Sequence, residues 1–300
     1  CLLSRGLGDV YKRQTLSLNN LTFIIVTFKS NHIIDECIES LPKNSNIIII
    51  ENSNNIEVKK TLEAKYSNIN VIVQENSGMG SANNKGIRLC KTDYAFVINP
   101  DVKFYENTMR ELIALSSKYN DYSILAPICD DEKYPNYKIK NKRIKNYYPD
   151  FLDVDSVDGY AMLINKNKFS DNIYFDEQIF LYLENDDLCL RKKKENHKIY
   201  VVKKAKIHHM GGKSHLPIHE KEVEFSRNWH WMWSKFYFNK KHYGYLKAFL
   251  ISFPTLITSM IKFFYYFATH NKFKKKIYIM RFLGLFNSMI GRKSWYRPQI

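Results

Sequence analysis

Three hundred residues, 45% hydrophobic and 15% aromatic, exclude a disordered chain and allow one large domain or two smaller ones. A formal net charge of +16 implies an anionic partner: a nucleic acid, a membrane surface or phosphorylated small molecules. Five cysteines (Cys1, Cys37, Cys90, Cys129 and Cys189) include no CxxC pair, which points to core packing and a reducing, cytosolic setting instead of a disulfide or metal framework.

The first fourteen residues, CLLSRGLGDVYKRQ, contain no signal-peptide apolar core and fit nothing downstream. GLGDVYKRQ is similar to translated adapter sequence, so residues 1–14 are expected to be non-native. From Leu21, apolar strands alternate with amphipathic helices. LTFIIVTF is a continuous β-branched run, expected as a strand buried on both faces. HIIDECIESL sets Ile33, Ile34, Cys37, Ile38 and Leu41 on one helical stripe. NIIIIENS and INVIVQEN are expected as the second and third strands, IEVKKTLEAKY and SANNKGIRLC as helices, and YAFVINPD as the fourth strand. This alternation predicts a parallel sheet with helices on both faces, whose ligands bind beyond the carboxyl ends of the strands. Thr27, Glu51-Asn52-Ser53, Asn76-Ser77-Gly78 and Asn99-Pro100-Asp101 stand at those four ends.

Beyond Asp101, ENTMRELIALSSKY is expected as a helix and SILAP as a short strand. A basic, tyrosine-rich loop follows, over about 129–151. YAMLINKNKF and KIYVVKKAKIHH are expected as strands flanking FLYLENDDLCLR. From about Phe225 the chain turns aromatic and basic. The apolar run Ala248–Ile261 is fourteen residues long, below the ~20 needed to span a bilayer, and is interrupted by Pro254. With its Trp, Tyr and Lys neighbours it is expected to lie on an anionic membrane; the alternative is a helical cap on the domain.

Four segments carry chemistry. INPDV ends a strand in an aspartate that could hold a divalent cation together with ligand phosphates, or could simply form a turn. NSGMGSANNKG offers a phosphate a glycine turn before a helix, or is only a capped helix start; it is neither GxGxxG nor a Walker motif. In FLYLENDDLCLR, Glu184, Asp186 and Asp187 crowd a helix start near Asn185, more carboxylates than a cap requires, which suits a general base. In HHMGGKSH, His208 and His209 close a strand, and one imidazole could ligate a metal or touch a diphosphate.

In order and spacing these segments, with VDGYAMLI, resemble family-2 glycosyltransferases of the GT-A fold from about Leu21 to His215, and the tail GRKSWYRP resembles the rhamnosyltransferase-like branch. The resemblance implies a Rossmann-like α/β fold with a mostly parallel central sheet, followed by C-terminal amphipathic helices. Residues 15–105 would form the nucleotide-sugar-binding half, 106–240 the acceptor-binding and catalytic half, and 241–300 a membrane-associating segment. It further implies Mg²⁺ or Mn²⁺ held by Asp101, with His209. Thr27 and Glu51 would contact ribose and base, Asn76, Gly78, Asn84 and Asn99 would line the donor pocket, and Gly159 would leave room for donor sugar and acceptor. The expected reaction is inverting transfer from a dTDP-rhamnose-like or UDP-linked donor to a glycan or lipid-linked acceptor in bacterial surface polysaccharide synthesis.

Three departures stand out. Lys29 replaces the usual Asn after the first strand, and Glu51 the commoner Asp. Asn185 occupies the column of the usual base, and an amide cannot accept the proton. The base is therefore sought among Glu184, Asp187 and Asp186; a non-catalytic sugar-nucleotide-binding relative is the alternative. The basic residues concentrate beside apolar C-terminal helices, so no nucleic-acid partner is expected.

Overall fold

The computed structural model describes residues 15–139, 148–211 and 217–298. Residues 1–14, part of the basic loop and the Gly212–His215 end of HHMGGKSH therefore lie outside the described residues.

The expected alternation is present: β1 (Leu21–Thr27), α1 (Ile34–Ser40), β2 (Asn46–Glu51), α2 (Ile56–Lys65), β3 (Ile69–Val73), α3 (Met79–Leu89) and β4 (Tyr94–Ile98). All seven residues of β1 are buried. Because successive strand side chains face opposite ways, Phe23 and Ile25 join a core with α1, α2 and the later α4, while Ile24 and Val26 join one with α3. Burying each such side chain contributes about 1.5–3 kcal/mol. β1, β2, β3 and β4 pair in parallel, in the order β3-β2-β1-β4.

The second half continues the same sheet. After β5 (Val102–Phe104), α4 (Thr108–Lys118) and β6 (Tyr122–Cys129) come the short strands β7 (Tyr137–Lys138), β8 (Phe151–Asp153) and β9 (Ser156–Val157). β10 (Ala161–Asn165) inserts antiparallel between β4 and β6; α5 (Glu184–Lys194) leads to β11 (Lys198–His209), which runs parallel to β6. The change of strand direction beside β4 brings the far end of β11 back to Asp101, as His209 pairs with Val102 of β5. The four cysteines among the described residues are free and buried.

Three long helices close the chain: α6 (Glu220–Tyr243), α7 (Tyr245–Ala268) and α8 (Lys272–Met289). The boundary expected at residue 240 falls inside α6. α6 and α8 touch backbone to side at Gly284, where a Cβ would lie 2.2 Å from the Trp229 carbonyl oxygen. The tail then folds back along α6. Trp233 Nε1 donates to the Arg292 carbonyl at 2.9 Å, and His230 Nε2 donates to the Tyr296 carbonyl at 2.9 Å. With Nε2 protonated, Nδ1 of His230 is left to accept from Ser294 Oγ at 3.0 Å. Burial holds this imidazole neutral, its pKa pushed down to about 3.

α7 departs from expectation. Pro254 does not divide it: the helix is continuous over 24 residues, long and apolar enough to cross a membrane. Only 17% of its apolar window is buried, with Leu246, Leu250, Ile261, Phe264 and Phe267 all exposed. The helix outlasts the fourteen-residue run because the flanking aromatics and lysine stems continue it in both directions.

Candidate active site

A cavity of about 260 Å³ opens at the carboxyl edge of the sheet. Val26 and Asn99 form its floor from β1 and the end of β4, the two strands between which the strand order switches. Asn52, Asn76 and Gly78 form one side, and Phe180, Tyr182 and Arg227 the other.

Thr27 and Glu51 are register partners at the ends of β1 and β2. Thr27 Oγ1 donates to Glu51 Oε2 at 2.6 Å, while the other carboxylate oxygen accepts from the Ser53 amide at 2.8 Å and from the Ser53 hydroxyl. Both side chains are buried. Next to them Asn52 Nδ2 donates to Asn76 Oδ1 at 3.1 Å, and Gln74 Nε2 donates to Asn52 Oδ1 at 2.8 Å. This network holds the turn that leads into α3. At that turn Gly78 has φ +90°, and a Cβ there would sit 2.5 Å from the Phe180 carbonyl oxygen. Glycine is required twice over, by backbone conformation and by the approach of the 180 segment. Lys29, where the resembling family has Asn, also has a positive φ of 54°, a region that Asn tolerates better.

Asn84 lies elsewhere than expected. Its amide donates to the Phe175 carbonyl at 2.8 Å and its oxygen accepts from the Phe175 amide at 2.9 Å. It pins the segment before α5 and is buried away from the cavity, because its hydrogen-bonding groups are spent on the Phe175 backbone and on the Glu177 carboxylate, to which Nδ2 also donates at 2.9 Å.

Asp101 is buried, and its Oδ1 has no hydrogen-bond partner. His209 Nε2 lies 3.5 Å from that oxygen, and the imidazole stacks on Tyr160 with ring centroids 3.9 Å apart. The Asn99 backbone amide donates to the Tyr160 carbonyl at 2.9 Å, which ties the NPD turn to the Gly159-Tyr160 turn. Among the described residues no three His, Cys, Asp or Glu side chains cluster as a complete cation cage. An aspartate oxygen lacking a partner beside one imidazole matches a cation that takes its remaining ligands from phosphates and water, as Mg²⁺ characteristically does.

The helix start of FLYLENDDLCLR is at Glu184, reached through Tyr182 and Leu183, whose φ angles are 69° and 68°. Two consecutive non-glycine residues in the left-handed region store about 1–2 kcal/mol each. Ser234 of α6, donating to the Leu181 carbonyl at 2.8 Å, helps hold that bend. From the bend the four polar side chains diverge. Glu184 is buried beside Gly80 at the start of α3, with Oε2 unpartnered, and burial pushes its carboxyl up to about 7. Asn185 donates to the Val157 carbonyl at 2.8 Å and packs against Gly159, where a Cβ would meet its Cβ at 3.4 Å. Asp186 turns to Lys138 at 2.8 Å and Ser156 at 2.9 Å, lining a separate cavity of about 300 Å³.

Asp187 is the correction. Its carboxylate is fully buried and accepts from Arg191 Nε at 3.0 Å, Lys241 Nζ at 2.8 Å and His242 Nε2 at 2.8 Å. Saturated by three donors, two of them on α6, it joins α5 to α6 and does not face the cavity, so the expectation that it serves as the base is withdrawn.

Several wall residues escaped the sequence reading. Phe180, Tyr182, Arg227 and Pro298 close the cavity opposite the sheet. Asp158, whose carboxyl is raised by burial, stands next to Gly159 in the VDG turn. A signal existed for Arg227, a cation between Ser226 and Asn228 in an otherwise aromatic run, but nothing local says that it returns to the sheet edge.

Sheet order, switch-point cavity and the Asp101–His209 pair define a GT-A transferase fold. Solved structures agree: GalNAc-T7 with UDP, GalNAc and Mn²⁺ superposes with a TM-score of 0.54 at 14% identity, over 66% of this chain and 44% of that one. TarS 1–349 of S. aureus in complex with UDP-GlcNAc superposes with a TM-score of 0.51 at 14% identity, over 93% of each chain. A curated relative, the low-salt glycan biosynthesis hexosyltransferase Agl10 of Haloferax volcanii, is 26% identical over 202 residues, 62% of this chain and 65% of its own length. Residues 22–171, half of the chain, match the model of glycosyl transferase family 2, and the chain belongs to that family.

Proposed function

We propose that the protein transfers a hexosyl or deoxyhexosyl unit from a UDP- or dTDP-linked donor to a glycan or lipid-linked hydroxyl, with inversion, in the building of a bacterial surface polysaccharide. The observation that carries this reading is the buried, unpartnered Asp101 carboxylate oxygen 3.5 Å from His209, beside a cavity walled by Asn52, Asn76 and Asn99. Family membership supports the transfer chemistry, and the similarity to proteins solved with UDP or UDP-GlcNAc supports the donor class. The rhamnosyl-type tail favours a deoxyhexose.

Asp101 and His209 would hold Mg²⁺ or Mn²⁺, which when bound supplies positive charge toward the departing diphosphate. The buried Thr27–Glu51 pair braces the strand ends behind the cavity, and Asn52 on its wall would orient the nucleoside; the glycine turn at Gly78 lets the backbone come close to the donor. Glu184 is the proton acceptor of the reading. The acceptor oxygen attacks the anomeric carbon, the carbon–phosphate oxygen bond breaks with its electrons leaving on the diphosphate, and the hydroxyl proton passes to Glu184. Of the three carboxylates at the helix start only Glu184 has an oxygen free of partners, and a pKa near neutrality suits a base.

Glu184 must be ionised to accept a proton, so transfer should rise with pH up to about 7 and fall away below it. Glu184→Gln should lower transfer of radiolabelled sugar into native membranes roughly 100- to 10,000-fold while leaving UDP binding intact. Full activity in this variant would reject the assignment.

The exposed apolar face of α7, with Lys247, Lys262 and Lys274–Lys276 beside it, fits an anionic bilayer at the cytoplasmic face. The triple variant Leu250→Glu, Ile261→Glu, Phe264→Glu should move the protein from the membrane pellet to the supernatant. Undiminished pelleting would show that something else anchors it.

A further inference from the structure

We propose that Arg227 of α6 binds the diphosphate of the nucleotide donor, so that the C-terminal helices complete the donor site as well as serving the membrane. The inference rests on the donor reading above and adds the residue that meets the phosphates.

Among the described residues, the polar side chains on the sheet side of the cavity are the amides of Asn52, Asn76 and Asn99 and the Ser30 hydroxyl, with no cation. Among the described residues that line it, Arg227 is the one Lys or Arg. Among the described residues its guanidinium, which carries five donors, has no ion-pair or hydrogen-bond partner. It lies close enough to Tyr182, on the same wall, to act on that phenol electrostatically.

Charge balance asks for such a group. A diphosphate diester brings two negative charges and Asp101 a third; one divalent cation offsets two of these and one guanidinium the last. The planar fork of arginine matches two phosphate oxygens at once, which an ammonium group does not.

The neighbourhood of Arg227 is rigidly built. Trp229 and His230 are fully buried. His230 is bonded to Ser294 and Tyr296 of the tail and stacks on Phe180, with ring centroids 4.5 Å apart. Arg297 covers the same Phe180 ring at 3.7 Å, and the Phe180 carbonyl accepts from the Met79 amide at 3.0 Å, beside Gly78. The tail therefore clamps α6 against the glycine turn on which the donor would rest, and Arg227 of α6 stands on the cavity wall. A solvated helix cation would need no such support.

Calorimetric titration of the full chain with UDP, uridine and inorganic pyrophosphate, each with Mn²⁺, tests the assignment. Arg227→Gln should weaken UDP and pyrophosphate roughly 10- to 100-fold and leave uridine within about twofold. Arg227→Lys should recover part of the loss. Unchanged UDP affinity in Arg227→Gln would overturn the proposal, and so would an equal loss for UDP and uridine, which marks a collapsed wall. If the wild type binds pyrophosphate but neither UDP nor uridine, the donor reading fails, while a pyrophosphate loss in Arg227→Gln still upholds the phosphate role of Arg227. If the wild type binds none of the three, the proposal falls with the site.

Discussion

Asp187→Ala is expected to destabilise the folded protein by about 3–5 kcal/mol, because it removes the carboxylate that Arg191 and the buried imidazole of His242 share and leaves Lys241 with Asp176, 2.6 Å away, as its one remaining anion among the described residues. For a chain of this size that corresponds to a fall in melting temperature on the order of 10 °C, readable by calorimetry or circular dichroism. The loss should appear without any ligand, since Asp187 contacts protein groups only among the described residues. Asp187 also ties the first turn of α5 to the carboxyl end of α6, so the variant should expose α6 to proteolysis before the sheet. A melting temperature within about 2 °C of wild type would show that the four-group cluster is worth no more than a surface pair.

Asp101→Ala is expected to do the opposite: little or nothing to the ligand-free protein, and a complete loss of the Mn²⁺-dependent part of the stabilisation by UDP. In the ligand-free protein Asp101 Oδ1 is buried without a hydrogen-bond partner, so deleting the carboxylate removes an unfavourable burial together with a weak His209 contact. The turn itself survives, because the Met210 amide bonds to the backbone carbonyl of Asp101 and not to its side chain. With UDP at about a hundred times its dissociation constant, wild-type stabilisation should approach 2.7 kcal/mol. The comparison is thermal shift with UDP, in Mn²⁺ and in chelator. An unchanged Mn²⁺-dependent increment in the variant would exclude Asp101 as a cation ligand.

The two aspartates differ in how far their surroundings could be anticipated. Asp101 ends a strand whose five residues are all apolar, in a half-domain where strand and helix periods alternate cleanly, so its place at the carboxyl edge follows from local pattern. Asp187 stands in a run of four polar residues on a helix start, and period alone cannot aim side chains separated by 100° per residue at partners that arrive fifty residues later. Asn84 went astray for the same reason: the pattern places it on α3, while its partner Phe175 is ninety-one residues distant. Pro254 misled in the other direction. In the sequence it interrupts a fourteen-residue apolar run, yet one continuous helix of 24 residues passes through it.

By itself the sequence determined the β1–β4 half of the sheet, the polar edge that carries Thr27, Glu51, Asn76 and Asp101, and the helix at Glu184, because these depend on side-chain period and on chemistry at the ends of short elements. Only the tertiary structure decided that Asp187 is an ion-pair centre, that Asn185 seals against Gly159, and that Arg227 and Pro298 of the tail line the cavity at the sheet edge. Those outcomes depend on which surfaces meet across many residues of chain, where burial and unpaired charge select one packing and local propensity has no say.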